Sequence, residues 1–263
     1  MTDTRLAEKI QAVIHPYLNY SSDPFDAFLG DLRITTPEGE IPFHPTDHQM
    51  RLFRLMDRPR GICNTSRQNF TTTGLLIKTL YDTLTIPSHI TIFIDGKQDQ
   101  LTDRSNRLIE WHQQASKEFD RPAITSKNRN EIEFENDSRI LLRTVKSLSD
   151  NIDQGCGLQV DRLLIDHAAY HSHALLQRAW DALLPSLASS GSITLASSPG
   201  VPDGLFYRLW EAGGYPWCKM TTSWWEDPSN DARWVELMIA QMGEDAFHKE
   251  FCNNFVPLTG SYL

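Results

Sequence analysis

The residues that decide the fold are 61–79, which read GICNTSRQNFTTTGLLIKT. An apolar start gives way to small polar residues and then to apolar residues at helical spacing, which predicts a strand, a turn and a helix. Such a turn holds phosphate when it contains Gly-Lys-Ser or Gly-Lys-Thr, because glycine reaches positive φ and lysine supplies a cation. Here the turn reads Phe70-Thr71-Thr72. The stretch has the outline of a nucleotide site without its main phosphate-binding residues.

Two residues of this turn work against phosphate binding. A phenylalanine at positive φ costs about 1 to 2 kcal/mol, and the ring of Phe70 would occupy the place of a phosphate. Thr71 brings a hydroxyl but no charge, and each missing charge-assisted hydrogen bond is worth roughly 1.5 to 3 kcal/mol. Thr72 or Thr73 can still reach a metal ion. These residues alone favour a plain strand-turn-helix over a working nucleotide site.

Length and composition are those of an ordinary globular chain. The 263 residues, 40% of them hydrophobic and 22% charged, suffice for one large domain, with or without a small appendage. No apolar run approaches the roughly 20 residues that span a bilayer, and the start MTDTRLAEKI lacks a signal region, so we expect a cytoplasmic protein without membrane contacts. The net charge of −9 argues against a surface broadly committed to DNA phosphates. The four cysteines are far apart, which indicates neither a disulfide framework nor a cysteine zinc site.

Strand and helix patterns alternate along the chain. Strands separated by helices, each ending at polar residues, predict an α/β fold: a P-loop NTPase-like, mostly parallel sheet flanked by helices, with its site at the carboxyl ends of the strands. We expect an N-terminal docking helix and loop over residues 1–44, the α/β core over 45–204 and a small, aromatic-rich helical subdomain over 205–263. The predicted strands are 89–96, an antiparallel pair at 131–135 and 138–145, 162–165 and one within 192–200; the predicted helices start at Thr46 or Asp47 and span 103–118 and 175–184, and 34–43 is predicted to be loop.

An acidic residue ends one of these strands. Asp166 follows Leu163-Leu164-Ile165, as a magnesium-orienting aspartate does at the tip of a sheet strand. An aspartate that caps a following helix has the same appearance. In hydrolysing enzymes with this arrangement the next residue is usually a glutamate that polarises water, whereas here it is His167. An imidazole, with a reference pKa of about 6.5, can accept a proton but carries no fixed negative charge.

Histidines near this strand end allow a second interpretation. Asp166, His167, His171 and His173 could form a transition-metal site, since His167 and His171 have the spacing of one helical turn. A helix is not expected immediately after a strand, and histidines in a polar loop usually make ordinary hydrogen bonds. The solvated interpretation is therefore favoured over the metal site.

Two further groups are candidates for function. Ser197 and Ser198 end an apolar strand, where they could contact a γ-phosphate or simply form a turn with Pro199-Gly200. Tryptophans crowd the region after Gly204, where a platform for stacking single-stranded bases is conceivable. No run of lysine or arginine is interleaved with them, so a core or a partner interface is favoured. The tryptophans in question are Trp217, Trp224 and Trp225.

Taken together and in order, these motifs resemble the ATPase domain of viral large terminase subunits of tailed phages, the motors that drive DNA into preformed capsids. The resemblance covers the chain from about Pro45 to Phe255, and it rests on the order and spacing of the motifs. The matching elements are Gln49 in HPTDHQ, Ser66-Arg67-Gln68 followed by NFTTT, Leu163-Leu164-Ile165-Asp166-His167, Ser197-Ser198-Pro199-Gly200 with Phe206-Tyr207 and Trp210, and FHKEFCNNFV.

The resemblance implies a role for each matched residue. Gln49 corresponds to an adenine-contacting glutamine, and Ser197 and Ser198 correspond to a motif that couples nucleotide state to movement. The implied nucleotide-binding residues are Gln49, Arg67, Gln68, Thr71, Thr72 and Thr73; the implied magnesium ligands are Thr72 and Asp166, and the implied catalytic pair is Asp166 and His167.

The departures from the family pattern fall on the positions that do the chemistry. Phe70 stands at the family's glycine, Thr71 at its lysine and His167 at its glutamate, and Gln154-Gly155 stands where an Arg-Gly pair is common. Both phosphate-binding and water-activating motifs are thus degenerate. Loss concentrated at these positions favours a pseudo-ATPase, a fold retained for a use other than turnover, with ATP and Mg bound only if nucleotide binding survives. The expected partners are phage packaging or procapsid proteins, with double-stranded DNA reached through a motor assembly that can be oligomeric.

Two alternatives stay open at this point. The first is an active DNA-packaging ATPase in which Arg67 replaces the standard lysine and His167 the standard glutamate. The second is a nucleotide-free regulatory or interaction protein that binds a phage partner through its aromatic C-terminal region. The nuclease domain that follows the ATPase domain in the family is not expected within this chain, so no DNA-cutting residues are assigned.

Overall fold

The computed structural model of the chain describes residues 24–36, 39–115, 121–150, 158–212, 216–227 and 230–257. The docking helix predicted near the N-terminus and the Gln154-Gly155 pair lie outside these residues. Among the described residues, no helix is long and apolar enough to cross a membrane.

Helices and strands follow one another along most of the chain. The helices are α1 (Pro24–Asp31), α2 (Asp47–Met56), α3 (Thr71–Thr85), α4 (Gln98–Gln114), α5 (Val145–Asp150), α6 (His173–Leu183), α7 (Gly204–Glu211), α8 (Ala232–Met242) and α9 (Glu244–Phe251). The strands are β1 (Arg33–Thr36), β2 (Gly39–Pro42), β3 (Arg60–Thr65), β4 (Ile90–Asp95), β5 (Ile124–Asn128), β6 (Glu131–Phe134), β7 (Arg139–Thr144), β8 (Val160–Asp166), β9 (Leu187–Ser197) and β10 (Cys218–Thr222).

A single large sheet forms the centre of the described fold. Its eight strands lie in the order β10-β3-β9-β8-β4-β7-β6-β5, and the pairs from β10 to β7 are parallel while β6 and β5 add antiparallel pairs. In this register Asp166 pairs with Ala196 and Asn64 with Ser197. The ends of β3, β8, β9 and β4 therefore meet at one edge of the sheet, where the loops that follow them share a common space.

Burial on both faces explains why the central strands β3, β4 and β8 consist almost entirely of buried residues. In β3, Ile62 belongs to one core cluster and Cys63 to the other, because successive side chains of a strand point to opposite faces. Helices α1 to α4 pack on one face and helices α5 to α7 on the other. A parallel sheet with both faces covered has this pattern, which confirms the predicted α/β fold class.

Several predicted elements are confirmed and others are corrected. Thr46 caps α2 in a capping box with Gln49, and the predicted antiparallel pair is present as β6 and β7. The prediction of loop over 34–43 is wrong, because Ile34 pairs with Ile41 in a two-stranded sheet of β1 and β2. Helix α4 begins at Gln98 rather than at Asp103. The sequence did not predict β5 or β10, which have few buried residues and thus lack the apolar signature of a central strand.

The aromatic region after residue 204 is not helical throughout. It contributes β10, which pairs in parallel with β3 and so completes one edge of the main sheet. The chain then folds back through α8 and α9, and Trp234 packs edge-on against Phe251. A division of the chain at residue 204 remains a prediction, with the qualification that β10 belongs to the main sheet.

A buried ionic network joins α3 to β8. Asp82 is bonded to Lys78 at 2.7 Å and to Arg162, and all three side chains are almost fully buried. Asp57 contacts the same two cations, at 2.9 and 3.8 Å, but its side chain is 57% exposed. Removing one member of a buried pair leaves the other charge without compensation. Asp82 therefore matters more to stability than Asp57.

We expect Asp82→Ala to lower the free energy of unfolding by about 3 to 5 kcal/mol, because Lys78 and Arg162 would stay buried with only a half-exposed carboxylate nearby. Asp57→Ala is the matched control, and its expected effect is within about 1 kcal/mol because its charge is screened by solvent. Urea unfolding followed by circular dichroism measures both. Equal losses for the two variants would contradict the proposed asymmetry.

Candidate functional site

A cleft with a volume of about 760 Å³ lies at the carboxyl ends of the parallel strands. The loops after β3, β4, β7, β8 and β9 form it, because the strand register brings these strand ends together. Most of the predicted site residues line it, whereas Gln49 and Thr73 are buried beside it. The lining residues are 65–72, 96–97, 100, 145–146, 166–167, 170–172, 175 and 197–198.

The turn between β3 and α3 contains two residues other than glycine with positive φ, as expected for Phe70. Gln68 has a φ of 65° and Phe70 a φ of 51°, both in the left-handed region. Phe70 directly precedes α3, and its side chain is 56% exposed. Glycine adopts this conformation without the steric cost that a Cβ brings. The turn thus keeps a backbone shape suited to glycine while carrying an aromatic ring at the cleft.

The hydroxyl of Thr71 points into a buried polar network. Thr71 Oγ1 lies 2.7 Å from Thr65 Oγ1, which in turn lies 2.8 Å from Thr222 Oγ1 on β10. Asn69 Nδ2 donates to the same Thr222 hydroxyl at 3.0 Å. The residue at the position of the phosphate-binding lysine therefore anchors the turn to the edge strand of the sheet.

Arg67, the candidate substitute for that lysine, is paired with an acidic residue of α9. Arg67 Nε lies 3.0 Å from Glu250 Oε2, and the Arg67 amide donates to the Glu250 carbonyl at 2.9 Å. Glu250 Oε1 also accepts a hydrogen bond from Tyr170 at 3.1 Å. The guanidinium is 62% exposed, so it borders the cleft with its charge already opposed by a carboxylate.

Gln49 is part of the frame that supports the turn from behind. Its Oε1 accepts a hydrogen bond from the Thr46 amide at 2.9 Å, and its Nε2 lies 3.5 Å from the Phe70 carbonyl. The side chain is 3% exposed. In this position Gln49 links the start of α2 to the turn. Thr73, which follows Thr72 in α3, is also buried.

Thr72 and Asp166 meet at the centre of the cleft. Thr72 Oγ1 donates to Asp166 Oδ2 at 2.5 Å, although the residues are 94 positions apart in the chain. Burial raises the pKa of the Asp166 carboxyl above its ordinary value, and the neighbouring His167 opposes that rise. A threonine hydroxyl beside a strand-end carboxylate can hold Mg²⁺. The two predicted magnesium ligands are thus brought together.

The structure adds Asp95, which the sequence analysis missed. Asp95 ends β4, is fully buried and pairs with Arg104 at 3.2 Å. Oxygen atoms of Asp95 and Asp166 and a ring nitrogen of His167 all lie within 4.8 Å of one another. One feature of the sequence could have identified Asp95: it follows the apolar residues of the predicted strand 89–96, just as Asp166 follows the apolar residues of β8.

The four residues of the histidine hypothesis are not brought together. His171 Nε2 lies 2.8 Å from the Asp166 carbonyl oxygen, so that ring is bonded to backbone. His173 is 3.3 Å from Asp203, at the start of α7. Of the three histidines, His167 is the one that shares a ligand cluster with Asp166.

The other candidates have structural partners. Ser197 Oγ accepts a hydrogen bond from the Ala169 amide at 3.1 Å, and Ser198 Oγ lies 3.3 Å from the Tyr170 hydroxyl. Both serines line the cleft. Trp224 stacks on Trp234, while Trp225 is 63% exposed. The aromatic region therefore consists mainly of packed rings, with Trp225 at its surface.

Solved structures of similar shape were found, although no protein-family model and no curated protein matches the sequence. A single-residue variant of the large terminase ATPase domain from Thermus phage P74-26 superposes with a TM-score of 0.70 at 16% identity, covering 89% of this chain and 99% of that chain. The HK97 bacteriophage large terminase gives a TM-score of 0.65 at 11% identity, over 88% of this chain and 54% of that chain. The fold is that of a phage large terminase ATPase domain.

A third similar structure carries a nucleotide analogue. It is the large terminase of a thermophilic bacteriophage in complex with ATP-γ-S, with a TM-score of 0.60 at 11% identity over 80% of this chain and 53% of that chain. This chain thus spans about half the length of the two large terminases, and nearly all of the P74-26 ATPase domain. At these identities the similarity establishes the terminase fold and leaves the chemistry to the residues of the cleft.

We expect Phe70→Gly to give a higher free energy of unfolding than Phe70→Ala, by about 1 kcal/mol, because glycine relieves the left-handed strain and alanine keeps it. Both variants remove the exposed ring, so the comparison isolates the backbone. Asn106, which is exposed within α4, is the matched control. At that position the alanine variant should have a higher free energy of unfolding than the glycine variant, by about 1 kcal/mol. Chemical unfolding measures all four variants. The same order at both positions would show that Phe70 is not strained.

Proposed function

We propose that this chain is a terminase-type ATPase domain that no longer turns over ATP and that acts in phage DNA packaging through protein contacts. The observation that carries the proposal is the state of the phosphate turn. Phe70 stands in a left-handed position at the start of α3 with its ring at the cleft, and the next residue has turned its hydroxyl towards Thr65.

Charge at the turn is the first physical argument. A triphosphate needs cations and backbone amides close to its β and γ oxygens. Arg67 borders the turn but is paired with Glu250. Lys97 and Lys146 also line the cleft; Lys97 follows β4 and Lys146 lies in α5 after β7, and both strands lie on the far side of β8 from the turn. The missing charge-assisted bonds are worth roughly 1.5 to 3 kcal/mol each, which weakens nucleotide binding at this turn.

Water activation is the second physical argument. A general base must lie within hydrogen-bond reach of the water it activates, and its charge must suit the proton transfer. His167 occupies the base position, with its Nε2 3.8 Å from Asp166 and 4.0 Å from Asp95. An imidazole brings no fixed negative charge to this position, and its Nε2 faces the two aspartates, so we propose that His167 does not serve as the hydrolytic base.

Part of the magnesium site is retained in this proposal. The contact between Thr72 and Asp166 is the arrangement that suits a divalent ion. ATP and Mg²⁺ would therefore bind weakly. The protein would make more contacts with the metal ion than with the phosphates. Gln49 would make few hydrogen bonds to adenine, because its side-chain oxygen already accepts from the Thr46 amide and its side-chain nitrogen faces the Phe70 carbonyl.

Partners are proposed from the fold. The similar structures are large terminases of bacteriophages, so packaging or procapsid proteins are the partners we propose, in the cytoplasm of a host cell, with DNA reached through a motor assembly. Trp225 and Leu237, which are 63% and 52% exposed, are candidates for such contacts. An active ATPase using Arg67 and His167 is the alternative, and the retained contact between Thr72 and Asp166 is the observation in its favour.

We expect the unmodified protein to hydrolyse no ATP and to bind Mg-ATP with a dissociation constant above about 1 mM. The triple variant Phe70→Gly, Thr71→Lys and His167→Glu should bind at least about tenfold more tightly, because each restored charge-assisted bond is worth roughly 1.5 to 3 kcal/mol. Isothermal titration calorimetry and a phosphate-release assay measure binding and turnover. Magnesium-dependent hydrolysis by the unmodified protein at ordinary motor rates would overturn the proposal.

Phe70→Gly alone is the matched control for the triple variant, because it removes the ring without adding a cation. Tight binding by this single variant would assign the defect to the ring and not to the missing charge. If the unmodified protein does hydrolyse ATP, Arg67→Ala and Asp166→Ala should abolish that activity, which would establish the alternative function.

A further inference from the structure

We infer that Asp95, Asp166 and His167 form a binding site for a divalent transition-metal ion such as Co²⁺, Mn²⁺ or Zn²⁺, and that this site is independent of nucleotide. The inference goes beyond the proposed function, because it needs neither phosphate nor the turn around Phe70. It rests on three ligand atoms from β4, β8 and the residue after β8 that converge within 4.8 Å.

Each carboxylate is held so that one oxygen faces the imidazole. Asp95 Oδ2 pairs with Arg104 Nε at 3.2 Å, while Asp95 Oδ1, which lies 4.0 Å from His167 Nε2, accepts from the Gly96 amide at 2.6 Å. Asp166 Oδ1 accepts from the His167 amide at 2.9 Å, while Asp166 Oδ2, which lies 3.8 Å from the same ring nitrogen, accepts from Thr72 Oγ1 at 2.5 Å. Hydrogen bonds that orient the ligands in this way are the usual support of a metal site.

The three atoms are close enough to converge on a metal when the side chains adjust. In a tetrahedral site with metal-ligand distances of about 2.1 Å, neighbouring ligand atoms lie about 3.4 Å apart, whereas the His167 nitrogen lies 3.8 and 4.0 Å from the two carboxylate oxygens. The two carboxyl groups are buried, and the His167 side chain is 42% exposed. The imidazole therefore borders the cleft, through which an ion and a water ligand can enter.

Charge also favours a cation between these residues. Asp95 and Asp166 place two carboxyl groups in the protein interior, where Arg104 pairs with Asp95. Buried carboxylates need compensation, and a divalent ion provides it. Thr72, which donates to Asp166 at 2.5 Å, fixes that carboxylate without adding charge.

The nature of the ligands sets the class of metal. Mg²⁺ prefers a shell of oxygen atoms and keeps several waters, whereas imidazole nitrogen favours transition metals such as Co²⁺ and Zn²⁺. A glutamate at position 167 would offer oxygen, as the terminase pattern expects. The histidine found there shifts the preference of the site from magnesium towards a transition metal.

The test is titration of the intact chain with Co²⁺ in the absence of nucleotide, followed by visible absorption and calorimetry. We expect one ion per chain and a His167→Ala variant at least about tenfold weaker. His173→Ala is the matched control, since His173 lies in the same segment but contacts Asp203, and it should bind Co²⁺ like the unmodified protein. A His167→Glu variant should narrow the preference for Co²⁺ over Mg²⁺ in competition, because it replaces a nitrogen ligand with oxygen.

Circular dichroism of each variant checks that the fold is intact, which is expected because His167 is partly exposed. The inference fails if the unmodified protein binds no Co²⁺ below about 1 mM, or if His167→Ala and His173→Ala weaken binding equally. Either result would leave His167 as a neighbour of the two aspartates without a role in metal binding. Because this titration contains no nucleotide and ATP binding is measured separately, the failure of this inference is distinguishable from failure of the proposed function.

Discussion

Parallel pairing of β3, β9, β8 and β4 is the constraint on which the site depends. Because these strands run in the same direction and in register, Thr65, Ser197, Asp166 and Asp95 end at one edge of the sheet. Residues about 30 to 130 positions apart in the chain thereby share one cleft. The chemistry of that cleft is then decided by the few side chains at the strand ends, while the cores on both faces of the sheet hold the ends in place.

The two halves of the cleft differ in chemistry. In the turn after β3, Phe70 lies in a left-handed conformation and the hydroxyl of Thr71 contacts Thr65, so neither a glycine nor a lysine stands at these positions. At the acidic half, Thr72 donates to Asp166, and His167 lies beside two buried carboxyl groups. The cleft thus combines potential metal ligands at the ends of β4 and β8 with an aromatic ring in the turn after β3.

The C-terminal helix is closely connected to this cleft. Glu250 on α9 bonds both Arg67 and Tyr170, and Asn253 donates to the Thr222 carbonyl on β10. The turn is therefore attached to the last described helix as well as to the edge strand. The aromatic region and the cleft are therefore physically connected through these hydrogen bonds and the Arg67–Glu250 ion pair.

The sequence by itself determined the alternation of buried strands and helices, the position of the turn, and the presence of Phe70, Thr71 and His167 at the strand ends, because these depend on local apolar patterns and on residue identity. Tertiary structure decided that Asp95 joins Asp166 and His167, that Arg67 pairs with Glu250, and that β10 completes the sheet. Each of these is a contact between segments far apart in the chain. Such contacts follow from strand order and register, which the pattern of any single segment does not contain.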